Sequence, residues 1–187
     1  FNVTIPYKEE IIPMLDKLSK TAKIIGAANC VTVSKKRKLK GYNTDYYGFK
    51  KSIKPLLKEH HKKALILGTG GASKAVAYAL RKLKIEYDFV SRTPDEFQFD
   101  YADLNAEVFE EYHIIINTTP VGTHPNVEDF PNLDYSLFTK KHIAYDLVYN
   151  PEETAFLKKA KEQGAKTKNG YDMLVFQAEK AWKIWNE

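Results

Sequence analysis

The apolar positions follow two patterns along the chain. In the first quarter they are scattered. Phe1, Val3 and Ile5 alternate with Asn2 and Thr4, the period-two signature of a strand, and Pro6 closes it. Glu9 and Glu10 suit the first turn of a helix, and Ile11, Ile12, Leu15 and Leu18 would give that helix an apolar face. Ala27 to Val33 and Lys38 to Tyr42 form short strand candidates. Asp45 is placed to cap a helix from Tyr46 to about Ile53, where Pro55 makes continuation doubtful.

From Lys62 onward the apolar residues condense into short continuous runs. Ala64-Leu65-Ile66-Leu67 forms a compact strand, followed by the glycine-rich Gly68-Thr69-Gly70-Gly71-Ala72-Ser73, a helix from about Ala72 to Leu83, and a second strand from Tyr87 to Val90. Such a βαβ unit begins a doubly wound parallel sheet. Ile114-Ile115-Ile116 and Ile143 to Val148 continue it as buried strands, and Glu153 to Gln163 and Tyr171 to Trp185 carry amphipathic helical periodicity. The pattern predicts an α/β protein: a Rossmann-type doubly wound parallel sheet plus a smaller, incomplete α/β domain.

Composition narrows the class. The 187 residues are 43% hydrophobic, enough for a core, and no apolar run approaches the roughly 20 residues of a membrane-spanning helix. The opening residues carry no targeting pattern, which points to the cytoplasm. The single Cys30 cannot form an internal disulfide and is expected to be a packed residue, with no metal site implied. The net charge of +5 is spread over several helices without interleaved aromatics, so solvated helix faces explain it better than nucleic-acid binding. Lys35-Lys36-Arg37-Lys38 fits a hairpin turn. Because the chain opens inside an apparent strand, an excised fragment is expected.

Candidate chemistry falls at three places. A glycine-rich turn between strand and helix brings backbone amides to the positive end of a helix, a suitable seat for a pyrophosphate, and Gly68, Thr69, Gly70, Gly71 and Ala72 occupy that context. After the next strand an NAD enzyme usually carries an acidic residue for the ribose hydroxyl. Here Ser91-Arg92-Thr93 offers a guanidinium fork and two hydroxyls, favouring the 2′-phosphate of NADP, although Asp95 and Glu96 follow. Ketone reduction also needs a proton donor, for which Lys8 and Asp45 are the candidates. Lys8 is expected near a helix N-terminus, where the dipole would lower its pKa. On position alone, an exposed lysine and a helix cap remain the plainer explanations.

Together the motifs resemble the shikimate dehydrogenase family over essentially the whole chain. Asn2 to Lys8 resembles the family's substrate motif, whose lysine is the acid/base and whose threonine, here Thr4, contacts substrate. Gly26-Ala27-Ala28-Asn29 resembles the segment whose asparagine binds substrate hydroxyls, and Gly41 to Asp45 the motif whose aspartate binds substrate and pairs with the lysine. Gly68 to Ala72 is similar to the family's glycine loop, Ser91-Arg92-Thr93 to its Asn-Arg-Thr clamp, and Asn117 to Gly122 to the loop beside the nicotinamide. In Tyr145 to Pro151, and in Gly170 to Gln177, the resemblance implies cofactor contacts through Leu147 and Gly170 and substrate contacts through Tyr149 and Gln177. Thr118 and Thr119 join the cofactor set.

The resemblance implies NADP-dependent reversible reduction of 3-dehydroshikimate to shikimate in aromatic amino-acid biosynthesis, by a monomer or homodimer without nucleic-acid or membrane partners. Residues 1–45 and 174–187 would form the substrate domain, and 46–173 the dinucleotide domain, with a hinge between them. The family carries a further stretch ahead of the position of Phe1, with a Ser-x-Ser motif for the substrate carboxylate. A chain without it is expected to bind cofactor better than substrate, and the Phe1 to Ile5 strand would lose neighbours. The alternatives are a quinate/shikimate dehydrogenase of broader substrate or NAD use, and a non-catalytic dinucleotide-binding module.

Overall fold

A computed structural model describes all of residues 1–187. In chain order the elements are β1 (Lys17–Leu18), α1 (Lys20–Ile25), β2 (Cys30–Val33), β3 (Leu39–Tyr42), α2 (Asp45–Ile53), β4 (Lys63–Leu67), α3 (Gly71–Leu83), β5 (Glu86–Ser91), β6 (Gln98–Asp100), α4 (Ala106–Glu111), β7 (Ile114–Asn117), β8 (Ile143–Asp146), α5 (Ala155–Glu162), β9 (Lys166–Lys168) and α6 (Tyr171–Trp185). Short 3-10 turns lie between several of them.

The larger sheet has six parallel strands in the order β6-β5-β4-β7-β8-β9. The chain runs outward from β4 to one edge, returns, and runs outward again through β7, so a crevice opens between the carboxyl ends of β4 and β7. Both faces are covered, which is why its central strands are continuous apolar runs. Ala64, Ile66, Ile114, Ile116, Ile143 and Tyr145 point into a core shared with α2 and α3, whereas Leu65, Leu67, Ile115 and Ala144 point into a second core shared with α4 and α5. The expected doubly wound sheet is therefore present. Each fully buried aliphatic side chain in it contributes about 1.5–3 kcal/mol.

The smaller sheet has three strands in the order β1-β3-β2, with β1 parallel and β2 antiparallel to β3. Residues 1–5 do not form a strand: they make one isolated antiparallel bridge, Asn2 with Cys30, and Phe1 and Ile5 are exposed. No helix spans Glu9 to Leu18. Pro13 sits in a 3-10 turn over Ile12–Met14, and Lys17–Leu18 pairs with β3 instead. The helix of this region is α1, capped by the Ser19 hydroxyl, which accepts from Ala22 N–H at 3.1 Å, and closed by Gly26 in the left-handed conformation. The Lys35 to Lys38 turn joins β2 and β3 as a hairpin, and Cys30 is buried and free.

Two helices join the sheets. α2 follows β3 directly and packs Phe49 and Ile53 under the large sheet, where Ser52 Oγ meets the buried Tyr145 hydroxyl at 2.6 Å. α6 begins beside the large sheet with Met173 and ends at the small one, where Trp185 Nε1 donates to the Val31 carbonyl at 3.2 Å. The two helices cross closely at Gly48, where a Cβ would collide with the Met173 carbonyl and come within 3.0 Å of the Gln177 amide. That crossing fixes Gln177 against the start of α2. No helix is long and apolar enough to cross a membrane.

Candidate active site

At the junction of the two sheets, the end of β3 and the start of α2 carry Asn43-Thr44-Asp45, all buried. Asp45 is not the cap expected of it. Thr44 holds the cap position, without a side-chain cap bond, and the Asp45 carboxylate turns to other partners. Lys8 Nζ donates to Asp45 Oδ2 at 2.9 Å, and Asn29 Nδ2 donates to Asp45 Oδ1 at 2.8 Å. Asn29, just before β2, also donates to Thr44 Oγ1 at 2.9 Å and receives the Thr44 amide on its own oxygen at 2.6 Å. Gln177 Oε1 closes the group from α6, 3.3 Å from both Asn29 Nδ2 and Thr44 Oγ1.

Lys8, Asn29, Asp45 and Gln177, named from sequence, thus converge from four separate segments. Thr44 was not among them, although it lies between residues that were; its complete burial and paired bonds to Asn29 make it part of the same network. Lys8 does not stand in the first turn of a helix of its own, so the helix expected to begin around it is absent. The Lys8 carbonyl instead accepts from Ala28 N–H at 2.8 Å, and its side chain is only 15% exposed. A charge so placed needs a partner, and Asp45 is that partner. Thr4 and Tyr149 are exposed and do not enter this hydrogen-bonded group.

The second group lies at the carboxyl ends of β4, β5, β7 and β8. Gly68 follows β4 at φ +98°, a left-handed conformation that glycine adopts freely, and a Cβ there would sit 2.8 Å from the Thr119 methyl. Around Gly70 a Cβ would meet nothing within 4 Å, so backbone faces open space at the start of α3. The first amides of a helix have no intrahelical acceptors and favour an anion. These features fit the pyrophosphate of a dinucleotide. Thr69 lies exposed on this turn, and Ala72 is half-buried in the first turn of α3. Ser91 ends β5 with its hydroxyl accepting from Thr93 N–H at 3.2 Å; Arg92 and Thr93 are exposed, and Arg92 enters no ion pair. Asp95 caps its own turn, receiving the Phe97 amide and the Gln98 side chain.

A buried pair not anticipated from sequence holds the neighbouring loops. Asp146 ends β8 and accepts from Thr154 Oγ1, the Val148 amide and Asn117 Nδ2 at 2.6, 3.0 and 3.0 Å. Burial raises its pKa to about 6 despite those bonds. Asn117 in turn accepts from Thr119 Oγ1 at 2.6 Å, and its carbonyl accepts from the Leu147 amide at 2.9 Å. Thr118 Oγ1 donates to the Leu67 carbonyl at 2.7 Å, and the Gly170 amide donates to the Val148 carbonyl at 3.0 Å. Thr118, Thr119, Leu147 and Gly170 are therefore set around one crevice rim.

The two groups meet at Gly71, the first residue of α3. A Cβ built there would lie 3.6 Å from Lys8 Cβ and 3.4 Å from Glu9 Oε1. The lysine and carboxylate thus stand beside the glycine turn.

Comparison with known proteins agrees with this arrangement. The family model for the shikimate dehydrogenase substrate binding domain matches residues 1–31. Shikimate dehydrogenase (NADP(+)) of Carboxydothermus hydrogenoformans is 43% identical over 199 residues, covering 98% of this chain and 71% of the relative. A crystal structure of shikimate dehydrogenase from Aquifex aeolicus superposes with a TM-score of 0.88 at 43% identity, over 99% of this chain and 71% of that one. The Thermus thermophilus enzyme, solved in complex with NADP(H) and shikimate, superposes at 0.85 with 35% identity, over 98% and 71%. On sequence, fold and the meeting of these two groups, the chain belongs to the shikimate dehydrogenase family.

Proposed function

We propose that this protein catalyses the reversible NADP-dependent reduction of 3-dehydroshikimate to shikimate. The observation that carries the reading is the Lys8–Asp45 pair, 2.9 Å apart, set against the first residue of the helix that follows the glycine turn. When bound, the nicotinamide supplies or accepts the hydride. Lys8 donates the proton to the carbonyl oxygen as negative charge develops on it, and its ammonium stabilises that oxygen beforehand. In the reverse direction the same amine takes the hydroxyl proton.

Asp45 orients Lys8 and presents an acceptor to a substrate hydroxyl. Asn29 and Gln177 supply an amide donor and acceptor on the same wall, held by Thr44, which suits a ligand carrying several hydroxyls. Thr4 and Tyr149, both exposed, would meet the substrate. Gly68, Thr69, Gly70, Gly71 and Ala72 would seat the pyrophosphate, Ser91, Arg92 and Thr93 the 2′-phosphate, and Thr118, Thr119, Leu147 and Gly170 the nicotinamide half. In this reading residues 1–45 and 174–187 form the substrate domain and 46–173 the dinucleotide domain. The protein works in the cytoplasm as a monomer or homodimer.

The test is NADPH formation from shikimate, with NAD⁺ and quinate as the competing cofactor and substrate. Turnover with shikimate and a higher kcat/KM for NADP⁺ than for NAD⁺ is expected. Nucleotide binding without turnover on either substrate would refute the reading, leaving a dinucleotide-binding module.

A further inference from the structure

Lys8 is fixed twice to the small-sheet side, by Asp45 and by the Ala28 amide. The residue after it reaches the other way. Glu9 Oε2 accepts from Lys74 Nζ at 2.5 Å, and Lys74 is the fourth residue of α3. Among the ion pairs this one alone joins residues 1–45 to the large-sheet side; Lys8–Asp45 and Lys38–Asp16 lie within residues 1–45, and the others lie between α2 and α6 or around the large sheet. Glu9 Oε1 also lies near Gly71, at the positive end of α3, so the carboxylate is attracted from two directions.

The pair contributes little to stability. Both side chains are about two-fifths exposed, at 41% and 42%, so water screens their attraction. Geometry is where it can matter, because a misplacement of about 1 Å in a reacting group can cost about a hundredfold in rate. We infer that Glu9 and Lys74 are positioning residues, an ionic strut across the cleft that sets how close Lys8 stands to the glycine turn. The inference rests on the reading of Lys8 as the proton donor. Lys74 has a second effect in the same role: it neutralises a carboxylate that would otherwise repel a phosphate at the start of α3.

The experiment is a double-mutant cycle with Glu9→Gln, Lys74→Met and their combination, with Lys74→Arg as the conservative control. Each single change should lower kcat about tenfold, the double no further than either, and Lys74→Arg should restore most of it. Lys74→Met should raise the KM for cofactor, and adding Glu9→Gln should remove that rise. Losses in kcat that multiply in the double variant, or a KM rise that persists in it, would overturn the inference, because the two residues would then act separately. Hydrogen exchange of the amides of residues 7–12 reads the contact without turnover, so it separates this inference from the assigned reaction. Both single variants should exchange faster there, with Tm changed by less than about 4 °C; unchanged exchange in both would also overturn it.

Discussion

Three histidines stand at the amino ends of three adjacent strands of the large sheet, on the edge opposite the crevice: His61 before β4, His113 before β7 and His142 before β8. His61 Nδ1 accepts from the Lys58 amide at 2.8 Å, and Nε2 donates to the Lys141 carbonyl at 3.0 Å. A proton on Nδ1 would face an N–H with an N–H. Burial, with the nearby His60, His113 and Lys58 charges, lowers the His61 pKa to about 4. Since the folded pKa is below the ordinary value of 6.5, the unfolded chain binds more protons between the two, and stability is lost as pH falls through that window. For those two values the loss from pH 7.5 to pH 5 is about 2 kcal/mol, and solvent near the exposed His60 reduces it to about 1–2.

Asp146 pulls the other way. Its folded pKa of about 6 is above the carboxylate's usual value, so its contribution is present at low pH and lost as pH rises through 6. The net pH profile therefore mixes opposing terms, and a difference measurement is needed. Urea unfolding of the native protein and His61→Asn at pH 7.5 and pH 5 provides it, because the Asp146 contribution cancels. The native protein's advantage over the variant should shrink by about 1–2 kcal/mol at the lower pH. An advantage that stays constant or grows on acidification would refute the reasoning.

Further outcomes follow from the same geometry. Gly48→Ala should cost about 1–3 kcal/mol in urea unfolding and raise the KM for shikimate, because its methyl would force α2 from α6 and shift Gln177; an unchanged KM would detach Gln177 from substrate. Arg92→Ala should raise the KM for NADP⁺ about tenfold, or about 1.4 kcal/mol, and leave that for NAD⁺ unaltered. Equal effects on both cofactors would remove the guanidinium from the 2′-phosphate. Asp45→Asn, which keeps the shape but removes the charge opposite Lys8, should lower kcat by about a hundredfold or more while cofactor affinity measured by fluorescence stays the same. Native turnover in that variant would exclude the carboxylate from the reaction.

The large sheet was legible because burial on both faces demands uninterrupted apolar runs, and Ala64 to Leu67, Ile114 to Ile116 and Ile143 to Tyr145 supply them. Its outer strands were not legible. Gln98–Asp100 and Lys166–Lys168 are three residues each and largely polar, and they are strands through pairing with β5 and β8. In the first quarter the apolar spacing of Ile11, Ile12, Leu15 and Leu18 imitated a helix, but Pro13 confines helical geometry to a single 3-10 turn and Leu18 pairs with Gly41 instead. α1 is too short for periodicity to reveal, although Ser19 and Gly26 mark its ends. Lys8 and Asp45 were singled out through the motif, whereas Thr44, Asp146 and the Glu9–Lys74 pair were not, because their bonds to Asn29, to Asn117 and to each other bring together segments that spacing does not connect.

The central claim is that the Lys8 amine moves the proton at a carbonyl facing the glycine turn. Its most direct test is NADPH formation from shikimate by Lys8→Ala, with NADP⁺ affinity measured on the same sample. The account predicts turnover reduced by at least about 10²–10⁴-fold with cofactor binding unchanged. Turnover within a fewfold of the native protein would contradict it.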